Sequence, residues 1–516
     1  MYASHHYHYY NNRGVFTIVD ATFVGCILLP HGDFALDPTF FRNGTMERNS
    51  ADKVARGARM ASRWLLKQQQ QQQQQQRART SSSKINSRKN KKNHSNEDEE
   101  DEEDEEVEPM IILLTTPHGL KLDYNYGIYI NSKGGGTATI GDDCITNNVI
   151  NNDYSSGNDD KDNIATNHKS IQGSYNNKNN RNNISGYGKD NSFSNGGGGN
   201  GMSLESIDNN NDQRKNRTPY NVTLANVDLA PIELGKDLLY TLQNNRKGSG
   251  GGYPVSGIYG FNDDTSIPLG WGEMIPLLLL LQKTTALSSS SSSSKILPLI
   301  WTFPHRRYDH SGTDMTDELL QIGAEIIEWA ENRPERIGMV VSGDLSHTHL
   351  SSGPYGYSNA SAPFDKAIGR WAAGSGGYKD DDNDPCHPEA MSALLKRAKE
   401  LQPNAMSCGF TGYVLWHGMM CSKRCYGRKS TTSNVINSTN NSSNRKDYKN
   451  KRAAKFRSKV FVNRNVTYYG MIAASFEPYN DDHSGGGSGS EEHYKRIDNI
   501  DESSENQGTS FISLHA

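Results

Sequence analysis

Apolar residues along this chain gather into short blocks, and the period inside each block sets the element it predicts. Phe23–Leu29 and Met110–Thr116 are largely apolar runs of strand length, and each leads directly into Pro-His-Gly. Ile296–Phe303 and Ile337–Ser342 predict two further strands, the second leading into Gly343-Asp344-Leu345-Ser346-His347. Between and after them the apolar period lengthens to that of a helix, over Leu234–Gln243, Glu273–Gln282 and Thr316–Asn332. In the last of these, Leu319, Leu320, Ile326, Ile327 and Trp329 supply the apolar positions. Pro363–Ala372 and Pro388–Leu401 follow as helices, the latter with proline where a helix start prefers it. Val466–Ala474 predicts a closing strand. Strands alternating with helices predict an α/β fold with a central, mostly parallel sheet flanked by helices. In such sheets ligands gather at the carboxyl ends of the strands.

Between these blocks the composition changes abruptly. Only 34% of residues are hydrophobic, below the roughly 45–50% apolar usage of ordinary globular domains. Much of the chain therefore cannot be core. Residues 68–76 are an unbroken glutamine run, followed by a basic stretch from Arg77 to Lys92 and an acidic run from Glu97 to Glu106. Residues 141–218 are dominated by Asn, Asp, Ser and Gly, Ser288–Ser294 is a serine run, and residues 426–450 and the tail from 479 to 516 read alike. Such segments bury too little apolar surface to offset their ordering entropy. They predict disordered, low-complexity inserts at 66–108, 141–218 and 426–450 and a disordered tail at 479–516. What remains is roughly 250–300 residues, the size of a single α/β domain running discontinuously from 15 to 478.

Charge narrows little: 55 basic against 59 acidic residues give a net −4, which provides no ground for a nucleic-acid partner. The longest apolar runs, Phe23–Pro30 and Ile275–Leu281, fall far short of the ~20 residues that cross a bilayer, so no membrane association is expected. Met1–Arg13 lacks the basic-then-apolar order of a secretory signal. Cys26, Cys144, Cys386, Cys408, Cys421 and Cys425 are scattered without a compact framework. They predict free thiols in a reducing, cytoplasmic setting. Oligomeric state is left open.

Candidate chemistry sits where the strands stop. Pro30-His31-Gly32, Pro117-His118-Gly119 and Ser346-His347 place a histidine after each of three separate strands. In each Pro-His-Gly, proline stiffens the strand exit and glycine allows a sharp turn, so the imidazole is held on a rigid base. Converging imidazoles suit Fe, Zn or Cu, with open positions left for substrate. Asp33 and Asp344 stand close enough in sequence either to orient an imidazole or to cap a turn. Tyr355 and Tyr357 either shape a pocket over a planar ring or pack their Gly/Pro-rich loop. His305 reads as part of a solvated loop, and His349 and His417 as lying outside the site.

The stretch Gly343-Asp344-Leu345-Ser346-His347, with Gly353-Pro354-Tyr355-Gly356-Tyr357 and Pro363-Phe364-Asp365, resembles the LigB-type catalytic subunit of class III extradiol ring-cleavage dioxygenases. Pro30 to Pro38, Thr116 to Gly119, Ser407 to Gly412 and Tyr468 to Met471 add to it in the expected order, over about residues 22–478 without the inserts. The resemblance implies a mononuclear Fe(II) centre that cleaves a catechol-type aromatic with O2. It makes His31 and His118 the histidine ligands and His347 the acid–base catalyst. It also implies a carboxylate ligand at the start of the helix containing Gly412 to Gly418, where this chain has Cys408. Cysteine there is similar to the Memo proteins, relatives in which a Cys joins the histidines at the metal site. A thiolate favours Cu or Zn. Two readings of Cys408 therefore stay open, a metal ligand or a small buried residue.

Overall fold

The computed structural model describes residues 23–91, 109–120, 122–141, 219–244, 252–260, 265–286, 295–305, 315–374, 383–425 and 455–479. The chain divides into two compact units, Met1–Asn147 with Arg217–Ala516, and Asn148–Asn216, where the sequence predicts one domain. Every described residue belongs to the first unit. All but the first residue of the 141–218 insert, the whole of 426–450 and all but the first residue of the tail lie outside the described residues.

The described part is mixed α/β. Its strands are β1 (Phe23–Leu29), β2 (Met110–Thr116), β3 (Tyr126–Tyr129), β4 (Lys133–Ile140), β5 (Tyr220–Asp228) and β6 (Val255–Ile258), then β7 (Ile267–Pro268), β8 (Ile296–Thr302), β9 (Arg336–Ser342), β10 (Lys455–Val466) and β11 (Tyr469–Tyr479). Eight of them form a large sheet in the order β10-β11-β1-β9-β2-β8-β3-β6, and β5-β4-β7 form a small one. The centre of the large sheet, β1-β9-β2-β8, is parallel throughout, while β11 and β3 join it antiparallel on either side.

Every residue of β1, β2, β8 and β9 is buried, as expected for parallel strands covered on both faces. Alternate side chains go to opposite sides. Cys26 and Leu28 join an apolar cluster with Leu238 of α2 (Ile232–Asn244), Ile326 of α4 (Thr316–Glu331), Phe364 of α5 (Ser361–Ala372) and Trp416 of α8 (Phe410–Cys425). Ile27 and Leu29 join a second cluster with Val54 of α1 (Met46–Lys91) and Met274 of α3 (Trp271–Ala286). Each fully buried Leu or Ile contributes roughly 1.5–3 kcal/mol over an exposed one. Pro388–Ser392 (α6) continues through a π-helical stretch, Ala393–Ala398, into α7 (Lys399–Ala405).

Three expectations change. Residues 66–91, assigned by composition to a disordered insert, continue helix α1, and residues 92–108 lie outside the described residues. The first half of α1 buries Ala51, Val54, Ala55, Ala58, Ala61 and Leu65 at helical spacing, and the glutamine run extends that packed helix with Gln69 buried in turn. Glutamine is a good helix former, so nothing in the run ends the helix. Val466–Ala474 is not one strand but spans the turn of the β10–β11 hairpin, with Thr467 at φ 56°. Finally, Cys386 and Cys421 form a disulfide, which corrects the expectation of free thiols and removes its support for a reducing compartment. Cys26 and Cys408 are free; Cys144 and the side chain of Cys425 lie outside the description. Among the described residues no helix is long and apolar enough to cross a membrane.

Candidate metal centre

Because β1, β9 and β2 are neighbours and parallel, the segments that leave them emerge side by side at one edge of the sheet. His31 follows β1, His118 follows β2, and the loop after β9 carries Asp344 and His347. Cys408 comes to the same edge from the turn between α7 and α8. There the chain crosses the β9 loop so closely that a Cβ on Gly343 would collide with the Gly409 Cα, so glycine is required. The crossing is tied by Gly409 N–H donating to the Asp344 carbonyl at 3.0 Å and Asp344 N–H donating to Cys408 Sγ at 3.2 Å.

Cys408 Sγ lies 3.3 Å from His31 Nε2. The His31 and His118 rings meet edge to face, with centroids 4.8 Å apart and planes at 80°. The ligating atoms of His31, His118 and Cys408 all lie within 4.8 Å of one another, and so do those of Asp344, His347 and Cys408. His31 and Cys408 are buried, whereas His118 is exposed and lies on the open side.

A hydrogen-bond chain fixes the His31 tautomer. Ser342 Oγ donates its only proton to the Gly272 carbonyl at 2.6 Å, so at 3.0 Å from His31 Nδ1 it accepts. The proton of a neutral His31 therefore sits on Nδ1, and the Nε2 lone pair points toward Cys408 and Asp344, whose Oδ2 is 3.4 Å away. Imidazoles that bind metals are held in this way, with the remote N–H given to an acceptor.

Burial holds His31 well below its ordinary value, to about 3, so it is neutral near pH 7. His347 is lowered to about 3 as well, first by burial and then by the neighbouring histidines His118, His31 and His349. Although His347 is only partly buried as a residue, its Nε2 is shielded from solvent and has no hydrogen-bond partner. Burial raises the Asp344 carboxyl to about 7 against the amides of His31 and Gly32, and raises the Cys408 thiol, with the charge of Asp344 adding to the rise. Two buried acids held toward their neutral forms beside two neutral imidazoles match the needs of a divalent transition metal, which would draw both acids into their anionic forms. The donor set thus fits a metal; its mixture of nitrogen, oxygen and sulfur does not select one.

Of the residues singled out in the sequence, His31, His118, His347, Asp344 and Cys408 come together. Tyr355 joins them, its ring 5.5 Å from that of His347. Tyr357 is 67% exposed and bridges His349 by backbone, so it is not shown lining a pocket. Asp33 Oδ2 accepts from Gly141 N–H at 2.7 Å, tying the end of β4 to the β1 exit, and Ser342 Oγ orients the His31 ring. Glu389 and Glu400, carboxylates near the two ends of the preceding predicted helix Pro388–Leu401, are exposed.

Sequence reading missed Ser342, whose signal was a polar residue closing an otherwise apolar strand. It also missed Tyr469, whose ring lies 5.9 Å from His347 and 4.3 Å from that of Tyr468. His349, set aside as facing away, supports the same loop: its Nε2 meets Asp365 Oδ2 at 2.6 Å and Ser346 Oγ at 2.8 Å. No protein-family model matches the chain, and no curated protein matches it.

Proposed function

We propose that the chain is a metal-dependent dioxygenase of the extradiol type, which opens the ring of an ortho-dihydroxylated aromatic and adds both atoms of O2. The observation that supports this reading is the meeting of His31, His118 and Cys408 beside a histidine, His347, whose inner nitrogen is shielded and unpartnered. His31, His118 and Cys408 would hold the metal, Fe(II) in this reading. A bound metal would acidify a substrate hydroxyl and keep substrate and O2 side by side.

The remaining chemistry belongs to the chain. His347 offers an unpartnered Nε2 that would accept the proton of a substrate hydroxyl and return it as the ring opens, the anionic oxygen formed beside it raising the imidazole from the low value that burial gives it in the empty site. Tyr355 and Tyr469 flank that imidazole and offer faces against which a planar ring can lie. Ser342 keeps the His31 lone pair aimed at the centre.

A second reading is favoured by one observation, the thiol of Cys408 at 3.3 Å from His31 Nε2 where the resemblance implies a carboxylate. In it the chain is a Memo-like metal-binding protein, with Cu or Zn and a redox or signalling role. Oxygen uptake separates the two. Protein loaded anaerobically with Fe(II) should consume O2 with at least one member of a catechol panel, and His347→Ala should cut that rate roughly 100-fold or more while keeping its iron. No uptake with any catechol, in protein that retains stoichiometric Cu or Zn, would leave the second reading.

A further inference from the structure

Two triplets of donor atoms occupy this edge of the sheet, and they share one sulfur. We propose that a second divalent ion binds Asp344, His347 and Cys408, with the Cys408 sulfur bridging it to the ion held by His31 and His118, and that this second ion inhibits the site. Binding of the second ion stands on the donor geometry alone; inhibition rests on the dioxygenase reading, in which His347 moves a proton.

Metal–ligand bonds of roughly 2.0–2.3 Å place two ligands of one ion up to about 4.5 Å apart. The donors of each triplet already lie within 4.8 Å of one another, so either closes on an ion with little movement. In the second triplet each donor has a free valence. Asp344 Oδ1 takes the His31 amide at 3.2 Å, and Oδ2 is on the side of the imidazole nitrogen. His347 Nε2 is shielded and has no hydrogen-bond partner. The neighbouring His349 is not available in the same way, since its Nε2 is held by Asp365 and Ser346. A thiolate has lone pairs enough to bridge two ions.

Charge orders the two positions. One divalent ion is balanced by the Asp344 carboxylate and the Cys408 thiolate. A second, roughly 3.5–4 Å from the first as in two-metal sites, meets that ion's repulsion with no further anionic side chain in the triplets. It therefore binds second and more weakly, with a solvent anion such as chloride or hydroxide completing it. Its consequence is specific: the His347 lone pair cannot bind a metal and accept a substrate proton at once.

Co(II) titration of the metal-free full-length chain tests this, read by equilibrium dialysis and by the thiolate-to-cobalt absorption band. The expected result is two equivalents, the second about tenfold or more weaker. His347→Ala and Asp344→Asn should each bind one equivalent and keep the thiolate–cobalt band, which shows that the first position is folded and filled. A single equivalent in the wild type up to millimolar cobalt would overturn the proposal, as would two equivalents in both variants. Oxygen uptake should rise with the first equivalent of Fe(II) and fall as Zn(II) fills the second. Two equivalents without any uptake would remove the dioxygenase reading and leave the second site standing. Full uptake with only one equivalent bound at any concentration would do the reverse.

Discussion

Helix α8 has a cysteine beside a histidine at each end, at almost the same separation. Before its first turn, Cys408 Sγ lies 3.3 Å from His31 Nε2; near its last turn, Cys421 Sγ lies 3.4 Å from His417 Nδ1. Both histidines are buried, and burial lowers both, His31 to about 3 and His417 to about 4. Yet the bonding left over differs. Cys421 is spent in a disulfide with Cys386, and His417 Nδ1 accepts the Trp371 indole N–H at 3.3 Å. Cys408 is a free thiol, and the His31 Nδ1 proton is donated to Ser342 Oγ, which leaves its second nitrogen unspent. A site is made by donors with valence remaining, arranged to face one another; proximity of the right residue types is not enough.

The comparison breaks most visibly under substitution of the histidines. His31→Ala should lose retained metal, with affinity down by roughly 100-fold or more, whereas His417→Ala should keep metal and lose about 2–4 kcal/mol of stability through its cavity and the orphaned Trp371 indole. Metal analysis beside urea unfolding reads both. Next comes the disulfide. Replacing Cys386 and Cys421 by Ala together should cost about 4 kcal/mol, from a cross-link closing a 35-residue separation. Metal stoichiometry should not change, since Cys408 carries that function. Loss of metal in this variant would show that the two ends of α8 are not separable.

A third buried group sharpens the same distinction. Glu273, on α3, accepts from the Tyr129 hydroxyl at 2.9 Å through Oε1, while its Oε2 is buried without a partner. It lies outside both donor triplets, and its effect is read on stability. Burial, the largest cause, raises its carboxyl from 4.5 to about 7. Below the lower value both folded and unfolded forms are protonated and nothing changes. Between the two values the unfolded chain loses its proton while the folded chain keeps it, so stability falls as pH rises. The loss runs at about 1.4 kcal/mol per unit and totals about 3 kcal/mol by neutral pH. Glu273→Gln should gain on the wild type by about 1.4 kcal/mol per pH unit between 4.5 and 7, about 3 kcal/mol at pH 8; the variant-minus-wild-type difference in urea unfolding across pH 4–8 reads it, because Asp344, His31, His347 and His417 contribute equally to both chains. A variant-minus-wild-type difference that does not change with pH would contradict the assignment. The smallest effect is expected at Ser342→Ala, where His31 keeps its position but loses its acceptor, with metal affinity down roughly tenfold.

How much of this the sequence disclosed depends on how local the cause is. Strands β1 and β2 were legible to the residue because an apolar run and its Pro-His-Gly exit are contiguous. His31, His118 and His347 were legible for the same reason, each marking a strand end. The glutamine run was misread because composition was weighed without the amphipathic helix preceding it, which supplies the packing that lets residues 68–76 remain helical. The Asp33 link to Gly141 was not legible because it spans 108 residues. The Ser342–Gly272 link and the Cys386–Cys421 pair are likewise long-range, and no spacing rule reveals them. Cys408 was suspect only through the resemblance, which implies a metal ligand at its position; its contact with His31 spans 377 residues.

The central claim is that the N-terminal end of α8, and not its far end, completes a metal centre. Metal content of protein purified without chelator, compared among wild type, His31→Ala, Cys408→Ala and His417→Ala, tests it most directly. The account predicts a stoichiometric transition metal in the wild type and in His417→Ala, and its loss in both His31→Ala and Cys408→Ala. Metal absent from the wild type, or retained in full by His31→Ala and Cys408→Ala, would contradict it.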